Sequence, residues 1–285
     1  MIYDFVNAIM EFGFMQRGLI VAILIGVICG VLGTFVVLRG LSLMGDAISH
    51  SVLPGVAISH MLGISHVIGA SVFGVIASFV IGFISKKSLI KKDTSIGIVL
   101  TTFFSLGIVI ISRTRTMADL HHILFGNLLS VRPDDVVLVL IIGAILLIFI
   151  FLFYKELVVT SFDETLAKVY GLKTELINYT FLFILTLVIV SSLQAVGAVL
   201  VVAMIITPAA TSYLLTHKLT VMMVISALIG AFSSVVGLFF SFSYNLSSGA
   251  TIVLTMSVLF ILALLFAPEK GILLQNLKSR KGIDS

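Results

Sequence analysis

The chain has 285 residues, 60% of them hydrophobic and 11% charged, with a mean hydropathy of +1.27. A soluble domain carries about a quarter charged residues, so composition excludes a soluble enzyme, and the net charge of +4 reports topology rather than a nucleic-acid partner. The single cysteine, Cys29, excludes a disulfide framework within the chain.

The first twelve residues, MIYDFVNAIMEF, have no basic n-region and no small-residue cleavage site. They do not read as a signal peptide and can lie in the membrane interface, with Asp4 and Glu11 at a solvated end. Apolar runs cover 18–38, 44–64, 66–84, 95–112, 134–154, 176–193, 198–215, 220–241 and 250–267. A bilayer span takes roughly 20 residues. The pattern predicts an all-α polytopic membrane protein with eight or nine transmembrane helices and one broken or re-entrant element, forming a single domain over 1–285. The interruption falls in 44–64, where Gly45, Pro54 and Gly55 lie.

Lysine and arginine set the orientation, because cytoplasmic loops carry the excess of both. With Lys86, Lys87, Lys91 and Lys92 placed in the cytoplasm, Arg39, Lys155, Lys168, Lys173, Lys218, Lys270, Lys278, Arg280 and Lys281 fall on the same side. Only Arg17, Arg113, Arg115 and Arg132 fall outside. This predicts an outside N-terminus and an inside C-terminus.

Two segments do not read as spans. DLHHILFGNLLSV, 119–131, is too short to cross and too apolar for a free loop, so it reads as a short outer helix surrounded by protein or a water-filled cavity. TSFDETLAKVYGL, 160–172, reads as a cytoplasmic helix of about two turns, with Ser161 or Asp163 able to cap its start and Gly171 able to end it.

The chemistry concentrates in LMGDAISHSVLPG. Asp46 and His50 are four residues apart, one turn along one helix face. An ionisable residue inside a membrane segment is a functional-site hypothesis by default, and carboxylate oxygen with imidazole nitrogen suits a borderline divalent metal such as manganese, zinc or iron. Two ligands are too few. A symmetric homodimer would bring two of each to a shared axis, with Met44 and Ser49 shaping the site. The competing reading is structural, with Asp46 capping the segment and His50 hydrogen-bonding a neighbouring helix. His60 and His66 flank the outer end of the segment, and His121 and His122 sit on the outer helix. These four form an outer metal relay or are ordinary interfacial histidines. Asn127, Gln194 and Asn245 read as residues that hold helices together, and Cys29 as a packing residue rather than a thiolate ligand.

Several ordered motifs together carry a resemblance. LRGLSLMGDAISHSVLPGVA, HHILFGNLL, SFDETLAKVYG, VGAVLVVAMIITPAAT and the closing FAPEK resemble the permease subunit of manganese/zinc-type ABC importers, closest to manganese permeases of the PsaC and MntC type. The resemblance spans nearly the whole chain. It implies the fold of type II ABC importer permeases and a homodimer flanked by two cytoplasmic ATPase subunits. It also implies a feeding extracellular metal-binding lipoprotein, and no permanently bound cofactor. It places the intramembrane ligands on Asp46 and His50, and favours His122 over His121. It puts the ATPase-contacting helix on 161–171, including Ser161, Phe162, Asp163, Glu164, Ala167 and Gly171. The chain itself has no GxxxxGK[ST], so uphill transport needs a partner ATPase and the chain is expected to be no enzyme.

Other classes fit less well. An intramembrane metalloenzyme would want HExxH or a general base beside the pair, and neither is present. An ion-coupled secondary carrier would want more membrane carboxylates than Asp46. A cobalamin or siderophore permease needs no metal ligands. An oxygen–nitrogen set without cysteine favours manganese as the transported ion, then zinc, then iron.

Overall fold

Hydropathy dictates helices, and every regular element among the described residues of the computed structural model, which are 2–114, 128–267 and 271–272, is helical. The chain opens with α1 (Ile2–Glu11), α2 (Gly13–Leu38), α3 (Ser42–Ser51), α4 (Leu53–Leu62), α5 (His66–Lys87) and α6 (Lys92–Thr114). A 3₁₀ turn (Leu128–Ser130) precedes α7 (Pro133–Leu152), α8 (Tyr154–Phe162) and α9 (Glu164–Val169). The remaining helices are α10 (Thr174–Val196), α11 (Ala198–Leu215), α12 (Leu219–Tyr244) and α13 (Ser248–Phe266).

Eight of these, α2, α5, α6, α7 and α10 to α13, are long and apolar enough to cross a membrane. The 44–64 segment is the interrupted one. It forms α3 and α4, ten residues each, joined at Val52. Ten helical residues rise about 15 Å, half the hydrocarbon thickness. Pro54 causes the break. It has no N–H for the His50 carbonyl four residues back, and the Val52 N–H turns to that carbonyl instead. Of the expected outer helix, residues 119–127 lie outside the described residues, and its last part, 128–130, is the 3₁₀ turn.

The helices group into two compact units. The first comprises the described residues within 1–37, 128–131 and 203–285. Its centre is a backbone-to-backbone contact between α2 and α12. A Cβ placed on Gly26 would lie 2.7 Å from the Gly230 carbonyl oxygen, and one on Gly30 would lie 2.7 Å from that of Ser226. Small residues spaced four apart let membrane helices approach this closely. The Ser226 hydroxyl donates to the Gly30 carbonyl at 2.8 Å, and that of Ser234 to the Ala22 carbonyl at 2.9 Å. Cys29 is fully buried on the same helix. The amphipathic α1 lays Phe5 against Phe239 and Phe242 of α12, with ring centroids 5.4 and 5.7 Å away.

The second unit comprises the described residues within 38–127 and 132–202. Here α10 packs on α3, α5 and α7, while α3 and α4 pack on α5 and α6. Glycines clasp the break between α3 and α4. A Cβ on Gly55 would lie 2.0 Å from the Gly69 carbonyl oxygen of α5, and one on Gly107 of α6 would lie 2.7 Å from Leu53 Cβ. The broken element is therefore held by rigid spans on two sides.

Candidate metal site

Helix α3 presents Asp46 and His50 one turn apart, with Asp46 Oδ1 and His50 Nε2 separated by 3.3 Å. Both side chains stay partly open, Asp46 at 46% and His50 at 27%. The imidazole stands edge-on to Phe104 of α6, ring centroids 5.5 Å apart, and its Nδ1 is buried without a hydrogen-bond partner. Met44 is buried, and the Ser49 hydroxyl donates to the Gly45 carbonyl at 2.9 Å. Ser49 is thereby committed to the helix backbone. The pair can act as a two-atom ligand set, or as one hydrogen bond along α3.

No cluster of three or more His, Cys, Asp or Glu forms among the described residues. His60 and His66 do come together. The left-handed Gly63 ends α4, with the Ile64 N–H returning to the Ser59 carbonyl, and the two imidazoles stack at 5.8 Å and 13° across the turn. They form a second pair at the far end of α4, a helix about 15 Å long, with His60 ten and His66 sixteen residues beyond His50. His121 and His122 lie outside the described residues.

The 160–172 segment divides differently from expectation. Ser161 belongs to the end of α8, an element the sequence reading did not separate. Asp163 is the cap of α9, its Oδ1 accepting the Thr165 and Leu166 N–H groups at 2.8 and 2.9 Å. Gly171 ends the helix at φ +76°, as the Leu172 N–H bonds the Ala167 carbonyl. Glu164 pairs with Lys168 at 2.9 Å. Ala167 is buried, whereas Phe162, Leu166, Val169 and Tyr170 are exposed, leaving an apolar patch on a short polar helix. Asp163→Ala should cost about 1 kcal/mol locally, read as about fivefold faster amide exchange across 164–169 with the spans unchanged.

The residue that sequence reasoning missed is Arg39. It reads there only as a marker of orientation. In the structure its Nε donates to Ser161 Oγ at 2.9 Å, Nη1 to Asn178 Oδ1 at 2.8 Å and Nη2 to Thr160 Oγ1 at 2.8 Å. The guanidinium carbon lies 4.5 Å over the Phe181 ring. Burial pushes its pKa down to about 10, partly opposed by the Glu164 carboxylate, so it stays a cation at neutral pH. The group borders a cavity of about 580 Å³ whose lining includes Lys92, Glu164, Lys168 and Glu175. Lys86 and Glu175 pair at its edge.

Known proteins share this outline. Residues 11–267 match the model of the ABC 3 transport family. The manganese transport system membrane protein MntC of Listeria monocytogenes is 52% identical over 269 residues, 94% of this chain and 96% of that protein. The manganese import system permease protein ScaB of Streptococcus gordonii is 46% identical over 278 residues, 98% and 100%. Among solved structures, PsaBC from Streptococcus pneumoniae in complex with Fab matches with a TM-score of 0.88 at 45% identity, over 98% of this chain and 100% of that one. The chain is a multi-pass membrane protein that belongs to the ABC 3 transport family, as a transport subunit rather than an enzyme.

Proposed function

We propose that this chain, as one permease domain over 1–285, forms the membrane pathway of an ATP-driven importer that carries manganese into the cytoplasm. The observation that carries the reading is the Asp46–His50 pair on a broken helix. Two donor atoms 3.3 Å apart, each about 2.1 Å from one ion, would subtend about 100° at it, between octahedral and tetrahedral angles. Manganese is favoured by the oxygen–nitrogen set and by the names of relatives that cover nearly the whole chain. Two protein ligands leave the ion undercoordinated, and their partial exposure fits a second copy of the chain completing the set across a dimer axis.

On the charge-derived orientation, α9 lies in the cytoplasm. The exposed Leu166 and Val169 on it, with Phe162 and Tyr170 flanking it, suit a protein partner, and that partner is one of two ATPase subunits, one for each copy of the chain. The stacked His60 and His66 lie at the outer end, where an extracellular metal-binding lipoprotein would deliver its ion, with His121 and His122 the remaining relay positions. Binding uses a carboxylate and a neutral imidazole, so acid should weaken it.

The test is metal accumulation in cells without their own manganese importer, expressing the chain with its ATPase and binding protein. Manganese should accumulate only with an active ATPase. Zinc should bind but move more slowly, because an ion held more tightly leaves more slowly. Uptake indifferent to the ATPase would sink the reading, and zinc moving faster than manganese would reassign the cargo.

A further inference from the structure

We infer that Arg39 is a positioning residue for transport, a strut that ties the movement of α9 to the Asp46–His50 pair. The inference rests on the proposed function. It is carried by what Arg39 connects. On one side it anchors a three-residue link. Gly40 adopts φ +62°, Leu41 is buried, and the Met44 N–H bonds the Leu41 carbonyl. From Ser42 the chain is one uninterrupted helix through Asp46 and His50. A displacement of Arg39 therefore shifts the start of the rigid element that carries the pair.

On the other side the guanidinium grips the last turns of α8 at Thr160 and Ser161. Asp163, two residues past Ser161, starts α9. Asn178 and the Phe181 ring of α10 complete the socket. An orientation marker needs only a charge near the interface, which an exposed lysine supplies. A planar fork directed at three side-chain acceptors on two other elements does more. None of those acceptors is charged, and no carboxylate lies within ion-pair distance of Arg39 among the described residues. The cationic guanidinium holds both elements through charge-assisted hydrogen bonds, and bonds to neutral acceptors can exchange without separating an ion pair.

The experiment uses the reconstituted complex of permease, ATPase and binding protein. It measures equilibrium manganese binding, ATP hydrolysis and manganese delivered per ATP. Arg39→Gln should keep assembly, manganese affinity and hydrolysis within about twofold while delivery per ATP falls about tenfold or more. Arg39→Lys, which keeps charge but not the fork, should fall between. Thr160→Val with Asn178→Leu, which removes two of the guanidinium's acceptors, should reproduce the loss and add nothing to Arg39→Gln. That double variant retains Arg39 and carries the test if Arg39→Gln does not assemble. Wild-type delivery per ATP in Arg39→Gln, or in the double variant, would overturn the inference, as would additive losses. Wild-type transport without ATP would overturn the proposed function itself.

Discussion

Asp46→Ala and His50→Ala should each reduce manganese uptake to the level of cells without the permease, at equal amounts of inserted protein. In the proposed symmetric dimer either substitution would remove two ligands at once. Losing even an outer-shell partner of a metal ligand costs about 10–100-fold, so losing the ligands themselves should exceed about 100-fold. Asp46→Asn separates the two readings of the pair. It keeps the size and the hydrogen bond to His50 Nε2, 3.3 Å away, and removes only the charge. If the pair merely braced α3, Asp46→Asn would transport normally. If it holds a divalent cation, the amide fails almost as completely as alanine. Uptake is best measured beside a thermal melt of the purified variant, which should stay within a few degrees of wild type.

The second large effect concerns stability. A Cβ on Gly33 of α2 would lie 1.9 Å from the Ile205 carbonyl oxygen of α11, backbone that no rotamer change can move. Gly33→Leu therefore forces α2 and α11 apart, at a cost above the about 1–3 kcal/mol of ordinary overpacking. Folded protein recovered in detergent should drop below about a tenth of wild type. Gly97→Ala is the matched control. It lies in α6, where an added Cβ meets nothing within 4 Å. It should leave yield unchanged or raise stability by about 0.5–1 kcal/mol, since alanine is the better helix former. A folded Gly33→Leu at wild-type yield would mean the two helices do not touch at that glycine.

What could be read from the sequence, and what could not, divides by range. The eight long helices come from local hydropathy, and the break at Val52 from Pro54, whose effect reaches four residues. Helix α9 comes from Asp163 and Gly171, which act within their own turns. Ser161 looked equally able to cap it, because its competing partner, Arg39, is 122 residues away. The Arg39 socket, the Gly26–Gly230 contact and the seating of His50 against Phe104 all join distant segments. Periodicity carries no information about which faces meet. The Asp46–His50 pair was legible because both groups lie on one turn of one helix.

The half-open carboxylate of Asp46 also bears on how the protein is made. If the proposed homodimer forms, a copy that enters the bilayer ahead of its partner exposes an ionisable group on an incomplete surface, and such groups are poorly tolerated in lipid. Its survival would then depend on how soon it encounters another copy. Membrane proteases that remove orphan subunits would find the unpaired chain marked by the same residue that is proposed to hold the ion. Synthesis of the chain well below the level at which copies meet quickly should shorten its lifetime, and Asp46→Ala should restore it.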